Sequence, residues 1–221
     1  MKKPLVIFGT GDIAQLAHYY FSHDSDYEVV AFTVDAAYVK ESTFLGLPVV
    51  PFESVAQSHA PDSHHMFIAV SYAKLNRVRK EKYLAARELG YPLASYVSSR
   101  ISCLEPPAVG ENCFILEDNT IQPFARVGNN VTLWSGNHIG HHSTIGDHCF
   151  IASHVVVSGG VTLGEECFVG VNATLRDHVK IGARCVIGAG ALINADAEAE
   201  GVYPGPSSER SRVPSSRLKS I

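Results

Sequence analysis

The sequence predicts a small α/β unit followed by a parallel β-helix whose coils have three six-residue sides. Three observations carry that prediction. From Val97 to Ile193 an aliphatic residue, or once Cys103, recurs at every sixth position, seventeen times in register. A hydrophobic–glycine pair recurs every eighteen residues, at Val109-Gly110, Val127-Gly128, Ile145-Gly146, Leu163-Gly164 and Ile181-Gly182. Ahead of Val97, apolar runs alternate with helical periodicity, as in a parallel sheet with crossover helices.

The elements follow in order. Pro4 to Gly9 (PLVIFG) is a continuous apolar run, expected for a parallel strand covered on both faces. Asp12 to Phe21 has helical spacing. Tyr27 to Val34 is a second strand, ending at Asp35. His65 to Val70 is a further strand. Leu75 to Leu89 is a charged amphipathic helix stopped by Gly90, and Pro92 to Val97 returns to strand. The first domain is therefore expected over residues 1–96.

A strict period of six fits neither the 3.6 of a helix nor the 2 of a strand. It fits a short strand plus a tight turn, one side of a stacked coil with the aliphatic residue inside. Three hexads per coil make a triangular prism over residues 97–198, with residues 199–221 as a C-terminal tail. The repeating glycine suits a tight corner, and stacking covers the strand edges. Four of the five cysteines, Cys113, Cys149, Cys167 and Cys185, lie 36, 18 and 18 residues apart. That spacing places reduced thiols at one stacked interior position and argues against a disulfide or zinc framework.

Composition narrows the function classes. The chain has 221 residues and a formal net charge of −4, with no basic stripe for a nucleic acid. No stretch approaches the roughly 20 apolar residues of a membrane span. The opening MKKPLVIFG is too short for a signal core and reads as a first strand, so a cytoplasmic location is expected.

Gly9-Thr10-Gly11-Asp12-Ile13-Ala14 follows a strand and opens a helix, with Asp35 at the end of the next strand. This spacing is Rossmann-like and points a helix N-terminus at a phosphate. Ser71, Tyr72, Lys74 and Asn76, after the third clear strand, are candidates to line the same cleft.

With these residues in place, the sequence resembles the left-handed β-helix acyltransferases with hexapeptide repeats. It is most similar to the branch of sialic-acid O-acetyltransferases and nucleotide-amino-sugar N-acetyltransferases. The left hand is implied by the resemblance; the usual crossover rule would give the opposite one. The resemblance implies a homotrimer, with acetyl-CoA or another acyl-CoA in the groove between prisms. It implies a nucleotide-sugar acceptor in the N-terminal cleft at Gly9, Thr10, Gly11, Asp12, Asp35, Ser71 and Tyr72. It places the general base at His141, within LWSGNHIGHHSTIGDHC.

An imidazole can take the proton that an amine or hydroxyl loses as it attacks a thioester. His141, Gly159 and Asp177 are eighteen apart, so they stack in one column about 4.8 Å apart. The family's matching glycine amide contacts the acyl carbonyl, which assigns that contact to Gly159. Three positions depart from the family pattern: His142 follows the base where an acid is usual, Trp134 replaces an asparagine, and Phe150 replaces a second histidine. His142, Trp134, Phe150 and Asn137 are therefore the candidate base-orienting or acceptor contacts, with a backbone carbonyl as another means of orienting the base.

His138, His141, His142, His148, His154 and His178 invite a metal reading, but His142 and His178 stand two coils apart, roughly 9–10 Å. No metal is expected. In the tail, Pro204-Gly205-Pro206 occupies the place of a family segment near CoA, and Arg210, Arg212 and Arg217 are candidates for its phosphates. The expected activity is acyl transfer to the amine of a nucleotide-linked sugar for a bacterial surface polysaccharide. The alternatives are O-acetylation of a sialic acid or other free sugar, an NAD-linked oxidoreductase, and a non-catalytic binding trimer.

Overall fold

The computed structural model describes residues 2–217. The last four residues of the expected tail lie outside them. The α/β unit contains β1 (Lys3–Phe8), α1 (Asp12–His23), β2 (Tyr27–Val34), β3 (Thr43–Phe44), β4 (Leu47–Pro51), α2 (Val55–Ser58), β5 (His65–Ile68) and α3 (Arg77–Glu88). The sheet order is β3-β4-β2-β1-β5, parallel except for the β3–β4 pair. β1 lies between β2 and β5, so strand order reverses beside it. The carboxyl ends there are where open α/β sheets bind ligands. The short β3–β4 hairpin was not expected; its Leu45-Gly46 turn carries only two ladder residues on one arm.

The prism begins at Tyr96–Val97. Its first face holds the pairs at 108–109, 126–127, 144–145, 162–163 and 180–181. The second runs from 96–97 through 114–115, 132–133, 150–151, 168–169 and 186–187 to 202–203. The third holds 120–121, 138–139, 156–157, 174–175 and 192–193. Every pairing between full coils is parallel with an offset of eighteen, as Arg126 opposite Thr144 and Phe150 opposite Phe168. The inward residues Leu133, Ile139, Ile151, Val157, Leu175 and Ile187 are fully buried, forming one continuous core. Apolar burial at about 25 cal/mol per Å² drives the stack.

The stacked cysteines lie in that core as expected. Cys113, Cys149, Cys167 and Cys185 are buried, and each Sγ faces a carbonyl of the next coil, as Cys149 to Gly164 O at 3.1 Å. Burial pushes the Cys113 thiol up to about 12, so it stays a neutral packing group.

Two expectations about the prism's ends are corrected. Cys103 is exposed, because residues 99–107 form an open first coil held by little more than the Ser102–Thr120 bridge. No coil lies beneath it to make an interior. At the other end the tail does not leave the prism at residue 199: Val202–Tyr203 adds a last strand to the second face.

The second face carries the α/β unit. Its outward Tyr96, Phe114 and Phe150 are buried, and Phe114 and Leu116 share a core with Phe21, Phe32 and Phe67. Outward residues of the first face, such as Arg126, Thr144 and Thr162, stay exposed. The seam is tied by Tyr20 to Glu117 at 2.9 Å, Tyr83 to Glu111 at 2.5 Å, Lys80 to Glu166 at 2.8 Å, and Ile68 N to Asn112 Oδ1 at 2.8 Å.

Arg79 on α3 is only 2 % exposed and has no acidic partner among the described residues. Its Nη2 donates to the carbonyls of Asn130, His148 and Cys149 at 3.2, 2.9 and 3.0 Å, and burial lowers its pKa to about 10. No helix of the described residues is long and apolar enough to cross a membrane.

Candidate active site

His141 stands on the corner between the third and first faces, at residues 140–143. That corner is opposite the face holding the α/β unit. The turn is fixed from both neighbouring coils. The His141 amide donates to Gln122 Oε1 at 2.9 Å, its carbonyl accepts from Gly160 N at 2.8 Å, and Ser143 Oγ donates to Ser158 O at 2.8 Å. Gly140 permits this closeness, since a Cβ there would meet Gly159 N and Ser158 C at 2.6 Å.

The column arithmetic holds. The imidazole of His141 leans onto Gly159 of the next coil, where an added Cβ would come within 2.7 Å of both Cε1 and Nε2. Among the described residues the Gly159 N–H has no acceptor. A side-chain-free backbone, a free donor and a ring nitrogen therefore converge at one point on an exposed corner. Such a point can hold a carbonyl oxygen at the amide while the imidazole receives a proton.

On its other side His141 meets His142. The two Nδ1 atoms are 3.1 Å apart, with the rings near perpendicular at 84°. A ring nitrogen, and not a backbone carbonyl, is thus the group that meets His141 Nδ1. Phe124, one coil below, lies against His142 with centroids 4.7 Å apart. A groove of about 550 Å³ opens beside that coil, lined by Leu104, Pro106, Pro107, Gln122, Pro123 and Phe124. Sequence reasoning missed Gln122 and Phe124, though both lie about one coil before His141 and His142 at the same corner.

The remaining candidate contacts do not meet His141 within the chain. Asn137 is 1 % exposed and belongs to a ladder inside another corner: its backbone N–H donates to Asn119 Oδ1 at 3.2 Å, and its Oδ1 accepts from Val155 N at 2.7 Å. Trp134 is at the same corner, packed against the core of the α/β unit. Phe150 is buried on the second face, where Tyr72 and Phe168 approach it at 4.9 and 5.9 Å. The hexad phase explains this: positions 134 and 150 face the α/β unit, and 141 faces away from it.

The N-terminal cleft lies at the strand-order reversal. Gly9 has φ +125°, and a Cβ there would sit 2.7 Å from Ala69 O, so the turn requires glycine. Gly11 precedes α1 with open space around it, and Asp12 occupies the exposed first turn. Thr10 lines a cleft of about 460 Å³ with Tyr38, Lys40, Glu41, Thr43, Phe44 and Val49. Tyr38, Lys40 and Phe44 were not expected; an aromatic–basic–aromatic loop after β2 is the signal that would have found them. Two expected members are engaged elsewhere. Asp35 is ion-paired with Lys82 of α3, and Tyr72 lies on the prism against Phe150 and Phe168. Ser71 is half-buried at the end of the β5 segment. Asn76 is buried, with Nδ2 donating to Glu166 O and Cys167 O, and serves the seam. No cluster of three or more metal-ligating side chains occurs among the described residues.

Alteration of Gly159 gives a specific prediction. A Gly159→Ala methyl would collide with the mobile tip of an exposed ring and not with backbone. The ring must turn away, so turnover should fall by roughly 100-fold, the scale set by a misplacement of about 1 Å. The thermal midpoint should hardly move, and parallel kinetics and calorimetry check this.

Comparison with known proteins agrees with the fold. The repeat family described as bacterial transferase hexapeptide (six repeats) matches residues 124–159 and 160–195. No curated protein sequence matches the chain. Among solved structures, PerB from Caulobacter crescentus, in complex with CoA and GDP-perosamine, is 23% identical. The match covers 90% of this chain and 92% of that one, with a TM-score of 0.79. The acetyltransferase domain of PglB from Neisseria gonorrhoeae, in complex with acetyl coenzyme A, is 20% identical over 90% and 94%, with a TM-score of 0.77. WeeI from Acinetobacter baumannii is 16% identical over 87% and 95%, with a TM-score of 0.64. Residues 124–195 thus carry the bacterial transferase hexapeptide repeat, and the chain as a whole shares the fold of these solved structures.

Proposed function

We propose that this protein transfers an acetyl or related acyl group from acyl-CoA to the amine of a nucleotide-linked amino sugar, in the cytoplasm, for a bacterial surface polysaccharide. The observation that carries this reading is the meeting of the His141 ring with Gly159 and its free amide on a hexapeptide prism. PerB and the PglB domain, similar in fold, were solved with CoA and a nucleotide sugar or with acetyl-CoA.

The reaction needs no group beyond these. The acceptor amine attacks the thioester carbonyl carbon, and the carbonyl oxygen takes up negative charge against the Gly159 N–H. His141 Nε2 takes the proton that the nitrogen sheds. Collapse restores the carbonyl, breaks the C–S bond and expels the thiolate, which leaves as CoA thiol after His141 returns the proton. Acyl-CoA and amine become amide and CoA, with the proton balanced.

The acceptor's nucleotide belongs in the cleft at Gly9, Thr10, Gly11 and Asp12. The free N–H groups at the start of α1 suit a phosphate, and Tyr38 and Phe44 offer apolar faces to a base. Asp35 and Tyr72 serve there only after local rearrangement, since Asp35 is held by Lys82 and Tyr72 by the prism aromatics. The same engagement of Asp35 weighs against an NAD-linked oxidoreductase, which would need that carboxylate for a ribose.

This cleft and His141 lie on opposite sides of one prism, so a chain cannot serve its own base. Three copies around an axis would set each cleft beside a neighbour's corner and leave a groove for acyl-CoA. Release of CoA thiol from acetyl-CoA in the presence of UDP-, GDP- and dTDP-linked amino sugars tests the reading. Turnover with one of them is expected. Turnover with none, or equal turnover with free sialic acid, would overturn it.

A further inference from the structure

We infer that His142 is a positioning residue that holds His141 in the tautomer bearing its proton on Nδ1, so that Nε2 beside Gly159 is the basic nitrogen. The inference rests on the acyl-transfer reading above for its consequence, but its geometric content stands apart. Two ring nitrogens 3.1 Å apart share one hydrogen, so one donates and the other accepts. Only one assignment survives the reaction. Once His141 takes a proton on Nε2, both of its nitrogens carry hydrogen, and its partner must then present a bare Nδ1. Were His142 protonated on Nδ1, two N–H groups would be forced together. His142 is therefore the acceptor, with its own hydrogen on Nε2, and the pair needs no rearrangement between the resting and protonated states.

The second support is the way His142 is held. It lies in left-handed backbone at φ 58°, and so does Phe124 one coil below at φ 66°, a conformation that bulky side chains rarely adopt. Equivalent turns at the other two corners take the same conformation, at Asn112, Asn130, His148, Glu166 and Arg184 on one and at Asp118, His154 and Asn172 on the other, so the repeat itself sets the backbone of His142. The Phe124 ring rests against His142, with centroids 4.7 Å apart, and braces the imidazole that meets His141. His154 and His178 occupy like turns but fold back over Gly136 and Gly160; neither meets another ring nitrogen. A neutral ring thus fills the role that a following carboxylate has in the family this chain resembles.

The experiment combines ring-nitrogen NMR with kinetics on the full-length protein. In ¹⁵N-histidine-labelled wild type, His141 should show Nδ1–H with a bare Nε2. His142→Phe keeps the aromatic contact with Phe124 but removes the acceptor. It should release the tautomer preference and lower kcat by roughly 10- to 100-fold, the usual scale for an outer-shell partner, with KM for acetyl-CoA unchanged. His142→Asn and His142→Asp restore an oxygen acceptor and should recover most of the turnover. A wild-type His141 carrying its proton on Nε2, or a His142→Phe enzyme with unchanged tautomer and kcat, would overturn the inference. If wild type transfers no acyl group to any acceptor, the functional reading fails instead, and the NMR result still decides the tautomer.

Discussion

Replacing His141 with alanine is expected to lower kcat for acyl transfer by about 10²- to 10⁴-fold, the contribution of a positioned general base. The ring is exposed and lies against His142 and the Gly159 backbone, so the substitution leaves no core cavity. Its effect on stability should stay within about 0.5 kcal/mol, as for a surface position. KM for acetyl-CoA should change little, because a single exposed ring offers little of the surface that a molecule of that size would need. Steady-state kinetics with matched thermal melts separate these outcomes. A variant that loses activity only through unfolding would remove His141 from the mechanism.

Phe150 should behave in the opposite way. It is 3 % exposed and sits where the α/β unit meets the prism, with Tyr72, Phe168 and Trp134 around it and the Arg79 guanidinium 5.7 Å from its centroid. Phe150→Ala removes the ring from this enclosed place and strips a cation–π partner from a buried, unpaired charge. The expected cost is about 3–5 kcal/mol, at the upper end for core truncations. Denaturant unfolding should show that loss. The kcat of the enzyme that remains folded should stay close to wild type, because the ring lies on the face away from its own His141. A loss below about 1 kcal/mol, with KM for the acceptor raised, would make Phe150 a substrate contact instead.

The two halves of the chain were legible to different depths. The period of six leaves so few ways to bury its aliphatic residues that Val97 to Ile193 fixed the prism, its coil length and the stacking of His141 on Gly159. It failed at Cys103, because a repeat pattern does not reveal that an end coil has nothing beneath it. It also failed at Val202–Tyr203, where strand pairing continues after the hexad is lost. Tyr27–Val34 was read with its observed bounds, but the β3–β4 hairpin is too short to show a period.

Contacts between elements were the least legible. α3 looks like a solvated charged helix, yet Arg79 is buried against three carbonyls, a partnership that only the docking of the two units creates. The column of His141 and Gly159 depends on backbone repeat alone and could be counted. The Nδ1 contact with His142 depends on side-chain torsions and could not. Trp134, Asn137 and Phe150 are close to His141 in sequence but turn to other parts of the prism, since seven or nine residues do not return the coil to one corner.

Transfer of an acyl group to a sugar nitrogen is tested most directly by mass spectrometry and NMR of the product formed from acetyl-CoA and a nucleotide-linked amino sugar by wild type and His141→Ala. One new amide on the sugar amine, matched mole for mole by CoA thiol, is expected from wild type, and almost none from His141→Ala. An ester on a sugar hydroxyl, or equal amide formation by both proteins, would contradict it.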